Sequence, residues 1–160
     1  MRTQNDWTLE RSQASDLDLL MAWFPSERDI RVWGGPEFRY PFTSQTFRED
    51  VRWDNMASFS LYDPTDKFTG FGQTYERVGR INLARLVVDP DRRGTGAGRR
   101  LVTMLMSAAA RLLPLKEFSL FVYRDNLAAL KCYQSLDFEI CEYPEDDPLA
   151  AEALYMTRLV

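Results

Sequence analysis

The chain has 160 residues and a formal net charge of -4, from 20 Lys and Arg against 24 Asp and Glu, which argues against general affinity for nucleic acids or anionic membranes. Two cysteines and no histidine are too few for a disulfide scaffold or the usual Cys/His metal sites, so we expect no metal and a cytoplasmic location. The length suits one domain over residues 1–160, and no apolar run is long enough to predict a membrane span.

The N-terminal part predicts one strand and three helices. A short strand is expected at Trp7 to Arg11, and Ser15 is expected to cap the first helix, whose apolar residues recur at helical spacing. Further helices are predicted at about Ser26 to Val32 and after Thr43. The segment Trp33-Gly34-Gly35-Pro36 between them is expected to be a loop.

The following part predicts strands that turn back on one another and then a crossover helix. Ala57 to Tyr62 and Lys67 to Glu76 form a predicted hairpin, and a turn at Val78-Gly79 leads into the strand Ile81 to Val88. The remaining predicted elements, in chain order, are a helix that ends at Pro114, a strand at Phe118 to Val122, a helix at about Asn126 to Ser135 capped by Asp125, and strands near Phe138 to Tyr143 and Leu154 to Leu159. Strand, helix and strand in succession indicate a parallel pair within a mixed α/β sheet.

A glycine-rich segment follows the strand that ends at Val88 and opens the next helix. Gly94, Gly96 and Gly98 stand at every second position, which lets successive N–H groups approach an anion, and the helix N-terminus adds the positive end of its dipole. This pattern predicts a pyrophosphate-binding loop. A Walker A loop is excluded because Arg99 stands where that motif has lysine, and the dinucleotide fingerprint fails at the same residue.

Two motifs resemble those of one enzyme family. Val88-Asp89-Pro90 followed by Arg93-Gly94-Thr95-Gly96-Ala97-Gly98 resembles the R/Q-x-x-G-x-G/A acetyl-CoA motif of the GNAT N-acetyltransferase superfamily. Tyr123-Arg124-Asp125-Asn126 with Ala129, Tyr133 and Asp137-Phe138 resembles its second motif, with Asp137 in place of a glycine. The resemblance implies a GNAT fold, which is a mixed, mostly antiparallel sheet with a central parallel, splayed strand pair and flanking helices. It also implies transfer of acetyl from acetyl-CoA to a primary amine by direct attack in a ternary complex.

The resemblance assigns the cofactor contacts. Pantetheine is expected to bind the strand backbone at Leu86, Val87 and Val88. The pyrophosphate is expected to bind the loop N–H groups, with charge-assisted contacts from two arginine side chains, over the residues Arg93, Gly94, Thr95, Gly96, Ala97, Gly98 and Arg99. Asn126 is expected to contact the cofactor, or else to be an ordinary residue at the start of a helix.

The catalytic residues come from the same resemblance, and each has a structural alternative. Tyr133 corresponds to the tyrosine that protonates the departing thiolate in many family members, although it could simply pack in the core. The strand Arg80 to Val88 lacks the glutamate that many members use as general base. Glu76 is the nearest candidate, and a solvated hairpin charge or a water chain to backbone carbonyls are the alternatives.

The acceptor and two rival functions stay open at this point. The acceptor is expected to be a small-molecule or peptide amine, near either the aromatic segment Trp33 to Phe42 or the acidic loop Glu142 to Pro148, and the chain is expected to be a monomer or homodimer. The rivals are a catalytically inactive CoA-binding regulatory module and an acyltransferase for larger acyl groups. Gly70, Gly72 and Ala84 motivate the second rival, because small residues leave room for a longer acyl chain.

Overall fold

The computed structural model describes residues 6–160, which form one seven-stranded sheet and six helices. The strands are β1 (Thr8–Arg11), β2 (Ala57–Tyr62), β3 (Phe68–Arg77), β4 (Arg80–Val88), β5 (Glu117–Tyr123), β6 (Glu139–Cys141) and β7 (Ala153–Leu159). The helices are α1 (Ala14–Met21), α2 (Glu27–Gly34), α3 (Ser44–Asp50), α4 (Ala97–Leu112), α5 (Leu127–Ser135) and α6 (Pro148–Glu152). Within residues 6–160 none of these helices has both the length and the apolarity needed to cross a bilayer.

The sheet is mixed, as the sequence predicts. Its strand order is β1-β2-β3-β4-β5-β7-β6. β4 and β5 are parallel, with Ile81 opposite Phe118 and Asn82 opposite Ser119. The pairs β1/β2, β5/β7 and β6/β7 are antiparallel. The predicted parallel pair within a mostly antiparallel sheet is therefore confirmed.

The chain divides into two compact units, and the expectation of a single domain stays a prediction. The first unit, residues 6–73 and 85–102, has an aromatic core. Phe47 on α3 is fully buried there and packs against Phe24, Phe38 and Phe42, with ring centroids 6.5, 5.4 and 5.2 Å away. The contact with Phe42 is a hydrophobic staple at the start of α3. Thr43 caps this helix by accepting a hydrogen bond from the Thr46 N–H at 3.1 Å.

The second unit comprises residues 74–84 and 103–160. Its buried apolar residues come from three of the sheet's strands and two helices, among them Ile81, Leu105, Phe118, Tyr133 and Met156. Arg77 at the end of β3 holds the segment between β6 and α6, because its guanidinium donates to the Tyr143 hydroxyl at 3.0 Å and to the Asp147 carboxylate at 3.0 Å. The predicted surface loop Glu142 to Pro148 is therefore held by Arg77 near both of its ends, and its last residue already begins α6.

Three predicted helix ends are wrong. Gln13, rather than Ser15, is the N-cap of α1, because its N–H donates to the buried Asp16 carboxylate at 2.9 Å, and Ser60 and Tyr62 hold the same carboxylate in place. The predicted loop residues Trp33 and Gly34 belong to α2.

The third correction concerns α5. Asn126 caps it in place of Asp125 and accepts the Ala129 N–H at 3.3 Å, which is the helix-start role that the sequence left open. At the other end of α5 Asp137 has a φ of 68°, which explains why the resembling motif has glycine there.

Candidate active site

The glycine segment is a tight turn that leads from β4 into α4. The N–H of Asp89 donates to the Thr69 carbonyl at 2.8 Å, and a 3-10 turn over Pro90–Arg92 follows, closed by the Arg92 N–H on the Asp89 carbonyl at 2.8 Å. Gly94 and Gly96 then have φ values of 76° and 85°, in the left-handed region that side chains with a Cβ rarely adopt. α4 begins directly after them, so its N-terminus and the loop N–H groups lie in consecutive residues.

The face of this loop is open. A Cβ built on Gly94, Gly96 or Gly98 meets no atom within 4 Å. At Gly70, by contrast, an added Cβ would lie 3.3 Å from Leu61 Cβ and 3.4 Å from the Val87 carbonyl oxygen. The three glycine positions therefore leave the backbone of the loop open to a ligand, and this suits a pyrophosphate, which binds backbone N–H groups and the positive end of a helix.

Four arginines surround the loop and fall into two groups. Arg93 and Arg99, which the sequence assigns to the phosphates, have exposed side chains. Arg92 and Arg100 instead lie over the Trp7 ring, with guanidinium carbons 5.8 and 5.2 Å from its centroid. Positive charge therefore lies on both sides of the glycine residues, and the motif assigns Arg93 and Arg99 to the phosphates.

The strand before the loop carries a backbone irregularity that the sequence did not reveal. Arg85 has a φ of 49°, a strained conformation for a bulky residue. The Trp33 indole N–H donates to its carbonyl at 2.8 Å, and its guanidinium donates to Gln73 Oε1 at 2.9 Å. These contacts give the half-buried guanidinium of Arg85 a partner, and they fix β4 directly before Leu86, Val87 and Val88.

Tyr133 lies on α5 in the second unit and is 9% exposed. Burial raises the pKa of its hydroxyl above the ordinary tyrosine value. The hydroxyl is therefore protonated at neutral pH, as the assigned role requires, although the raised pKa also makes it a weaker acid than an ordinary tyrosine. Its ring meets Phe138 edge-on with centroids 6.1 Å apart, so packing and proton donation are compatible roles for this residue.

Glu76 lies near the end of β3, beside the Val78-Gly79 turn, and its side chain is exposed. Its assignment as general base stays a prediction. The buried polar residues of this unit include Asn82 and Ser119, where the Ser119 hydroxyl donates to the Asn82 carboxamide oxygen at 3.1 Å. Sequence reasoning missed this pair, although a polar residue inside each of two apolar strands was a usable signal.

Most aromatic side chains of the segment Trp33 to Phe42 pack in the core of the first unit. Phe38 is 2% exposed, and the Trp33 ring stacks on Phe24 with centroids 4.5 Å apart. Tyr40 is the more exposed member, at 37%, and its hydroxyl donates to the Pro25 carbonyl at 3.1 Å. Core packing therefore accounts for most of the side chains in this segment, and its expected place beside the acceptor stays a prediction.

Comparison with known proteins gives one family. The model of the acetyltransferase (GNAT) family matches residues 27–138. A mycothiol acetyltransferase from Thermobispora bispora is 35% identical over 98 residues, which cover 57% of this chain and 33% of that protein. The match thus spans about a third of the length of that relative.

Solved structures share the fold over nearly the whole chain. A spermidine N-acetyltransferase from Vibrio cholerae, in complex with CoA and spermine, matches with a TM-score of 0.73 and 19% identity, covering 96% of this chain and 95% of that one. An aminoglycoside acetyltransferase in complex with coenzyme A matches with a TM-score of 0.72 and 18% identity, again covering 96% and 95%. At these identities the likeness is one of fold.

Proposed function

This chain belongs to the acetyltransferase (GNAT) family, and from that premise we propose that it transfers the acetyl group of acetyl-CoA to a primary amine by direct attack in a ternary complex. The observation that carries the proposal is the open glycine loop at the start of α4, where added Cβ atoms at Gly94, Gly96 and Gly98 would meet nothing within 4 Å. The acceptor we propose is a small-molecule or peptide amine.

Each part of the cofactor has a proposed partner. The pyrophosphate binds the N–H groups of the loop from Arg93 to Arg99. The exposed side chains of Arg93 and Arg99 add charge-assisted hydrogen bonds. The pantetheine amides bind the backbone of Leu86, Val87 and Val88. The contacts of Arg85, the residue before them, hold this part of β4 in place. Asn126, which already caps α5, is proposed as a further contact.

The reaction exchanges a thioester for an amide. Acetyl-CoA supplies an activated acyl group, and the acceptor nitrogen forms the new N–C bond as the C–S bond breaks. Tyr133, which is protonated at neutral pH, gives a proton to the leaving sulfur. The proton lost by the acceptor amine passes to Glu76 or, through water, to backbone carbonyls.

Two alternative functions remain for this fold: a catalytically inactive CoA-binding module and an acyltransferase for larger acyl groups. The structure removes part of the support for the second one. The space beside Gly70 is filled by Leu61 and the Val87 carbonyl, so this glycine offers no room for a longer acyl chain. We therefore expect turnover to fall from acetyl-CoA to propionyl-CoA to succinyl-CoA. A catalytically inactive CoA-binding module would instead bind all three and release CoA from none.

Cofactor binding is tested by thermal unfolding with and without CoA. A ligand that binds only the native state stabilises it, by about 2.7 kcal/mol at a concentration 100 times its Kd. We expect the Tm to rise with CoA and with acetyl-CoA, and to stay unchanged with pantetheine at the same concentration, because pantetheine lacks the pyrophosphate. An unchanged Tm at millimolar CoA would remove the basis of the proposal.

The acidic loop is proposed to attract a cationic acceptor, and the structure narrows the residues involved. Asp147 is already paired with Arg77 at 3.0 Å and caps α6, whereas Glu145 and Asp146 are exposed. We expect the double variant Glu145→Gln/Asp146→Asn to lower kcat/KM for the amine by roughly two- to tenfold at low salt, and by less at high salt.

The matched control is Asp18→Asn/Asp54→Asn, which removes the same charge from exposed positions in the other unit. The KM for acetyl-CoA should stay constant in both variants. If the control lowers kcat/KM as much as the loop variant does, or if the loop effect is independent of salt, the loop has no specific part in attracting the acceptor.

A further inference from the structure

Asp63 joins two parts of the first unit. It follows β2 directly, and its side chain is 4% exposed. Oδ1 accepts the Thr65 N–H at 2.9 Å, the Thr65 hydroxyl at 2.7 Å and the Lys67 N–H at 3.0 Å, which closes the turn between β2 and β3. Oδ2 lies 3.0 Å from an Nη atom of Arg92. One carboxylate therefore holds the hairpin turn with one oxygen and the glycine loop with the other.

Arg92 connects this carboxylate to the residues that would bind pyrophosphate. It is the last residue of the 3-10 turn and stands two residues before Gly94. Its backbone carbonyl accepts the Thr95 hydroxyl, and its guanidinium lies over Trp7. A displacement of Arg92 would therefore be transmitted through the backbone to the N–H groups of the loop.

The negative charge of Asp63 opposes the binding of an anion at the loop, so this carboxylate can favour cofactor binding only through its effect on the shape of the loop. Burial opposes ionisation, but donors from Thr65, Lys67 and Arg92 lower the pKa of Asp63 to about 2, and the group is ionised at neutral pH. A carboxylate so close to a phosphate site weakens anion binding by Coulomb repulsion. A gain in loop geometry can outweigh that repulsion.

We infer that Asp63 is a positioning residue for the cofactor: acting through Arg92, it fixes the glycine loop in the shape that accepts pyrophosphate. The inference rests on the proposed function and assigns Asp63 no contact with the cofactor. Its role is confined to ligands that carry the pyrophosphate.

Asp63→Asn separates the two contacts of the carboxylate. The asparagine oxygen still accepts the Thr65 and Lys67 N–H groups, whereas an NH₂ group faces the Arg92 guanidinium, which is also a donor. Loss of the negative charge alone would tighten CoA binding, while loss of loop geometry weakens it, so the two explanations predict opposite signs. We expect the Kd of CoA, measured by calorimetry, to rise about tenfold or more.

Steady-state kinetics supply a readout that a general structural defect would not give. In Asp63→Asn the KM for acetyl-CoA should rise in step with the Kd, with kcat at the wild-type value. The value of kcat/KM for acetyl-pantetheine, which has the thioester but no pyrophosphate, should stay unchanged. Asp18→Asn, which removes an exposed carboxylate from the same unit, serves as the matched control and should bind CoA as the wild type does.

A second variant tests the contact without touching the hairpin turn. Arg92→Gln should also raise the Kd of CoA, and adding Asp63→Asn to it should change the Kd no further, since both remove one interaction. The inference is overturned if Asp63→Asn binds CoA as tightly as the wild type or more tightly, if it slows acetyl-pantetheine turnover as much as acetyl-CoA turnover, or if the two substitutions are additive. Failure of the wild type itself to bind CoA would instead refute the proposed function.

Discussion

Replacing Tyr133 with phenylalanine will lower kcat for acetyl transfer by about 10²–10⁴-fold, the range typical of a lost general acid, and leave the KM for acetyl-CoA unchanged. The substitution removes one hydroxyl from a side chain that is 9% exposed and keeps the ring that packs on Phe138. Thiol release at saturating acetyl-CoA and amine measures the effect. The alkaline limb of the kcat profile should lie above the ordinary tyrosine pKa of about 10, because burial raises the pKa of Tyr133.

Tyr155→Phe is the control for that variant. Tyr155 is 3% exposed, belongs to the same unit, and its hydroxyl accepts a hydrogen bond from Arg80 at 3.3 Å. We expect a small loss of stability and wild-type kcat. Wild-type turnover in Tyr133→Phe, or equal losses in both variants, would make Tyr133 a core residue without a catalytic role.

Gly96→Val will abolish CoA binding, with a loss of affinity of about 100-fold or more, because the new side chain would occupy the space over the loop and remove at least two hydrogen bonds to a charged ligand. A Cβ at this position meets no protein atom within 4 Å, so the new side chain would exclude the ligand without displacing a neighbouring protein atom. The rise in Tm with CoA, measured for variant and wild type, gives the effect.

Backbone strain is the competing explanation, because Gly96 has a φ of 85°. Gly79→Val controls for it. Gly79 has a φ of 75° and equally open surroundings, but it lies in the β3–β4 turn. Both variants should lose stability without ligand, and only Gly79→Val should keep the rise in Tm with CoA. If both keep it, the loop is a structural turn.

The elements around the glycine loop could be predicted because their signals are local. Alternating glycines after an apolar strand, and a helix ending before Pro114, need no distant partner, and α4 and its flanking strands follow the prediction closely. The capping of α3 by Thr43 and its staple are likewise encoded within a few residues. The same holds for the hairpin of β2 and β3, which β-branched and aromatic residues and a turn-rich segment specify.

Features that depend on distant contacts could not be predicted. The strained φ of Arg85 exists because Trp33, 52 residues away, and Gln73 hold it, and no pattern near Arg85 indicates that. The N-cap of α1 differs from the predicted one for the same reason, because the distant residues Ser60 and Tyr62 hold the Asp16 carboxylate that accepts from Gln13. The partnership of Asp63 and Arg92 also joins residues far apart in sequence, and either one alone looks like an ordinary surface charge.

The most direct test of the central claim is a product analysis. The wild-type protein is incubated with acetyl-CoA and a panel of primary amines that includes diamines, an aminoglycoside, amino acids and a short peptide with a free N-terminus, and both products are quantified. We expect at least one amine to gain one acetyl group, seen by mass spectrometry, in a one-to-one ratio with released CoA thiol, and we expect Tyr133→Phe and Gly96→Val to lose both products. Tight CoA binding with no acetylated amine and no thiol release from any member of the panel would refute the proposed transfer and identify the chain as a CoA-binding module without transferase activity.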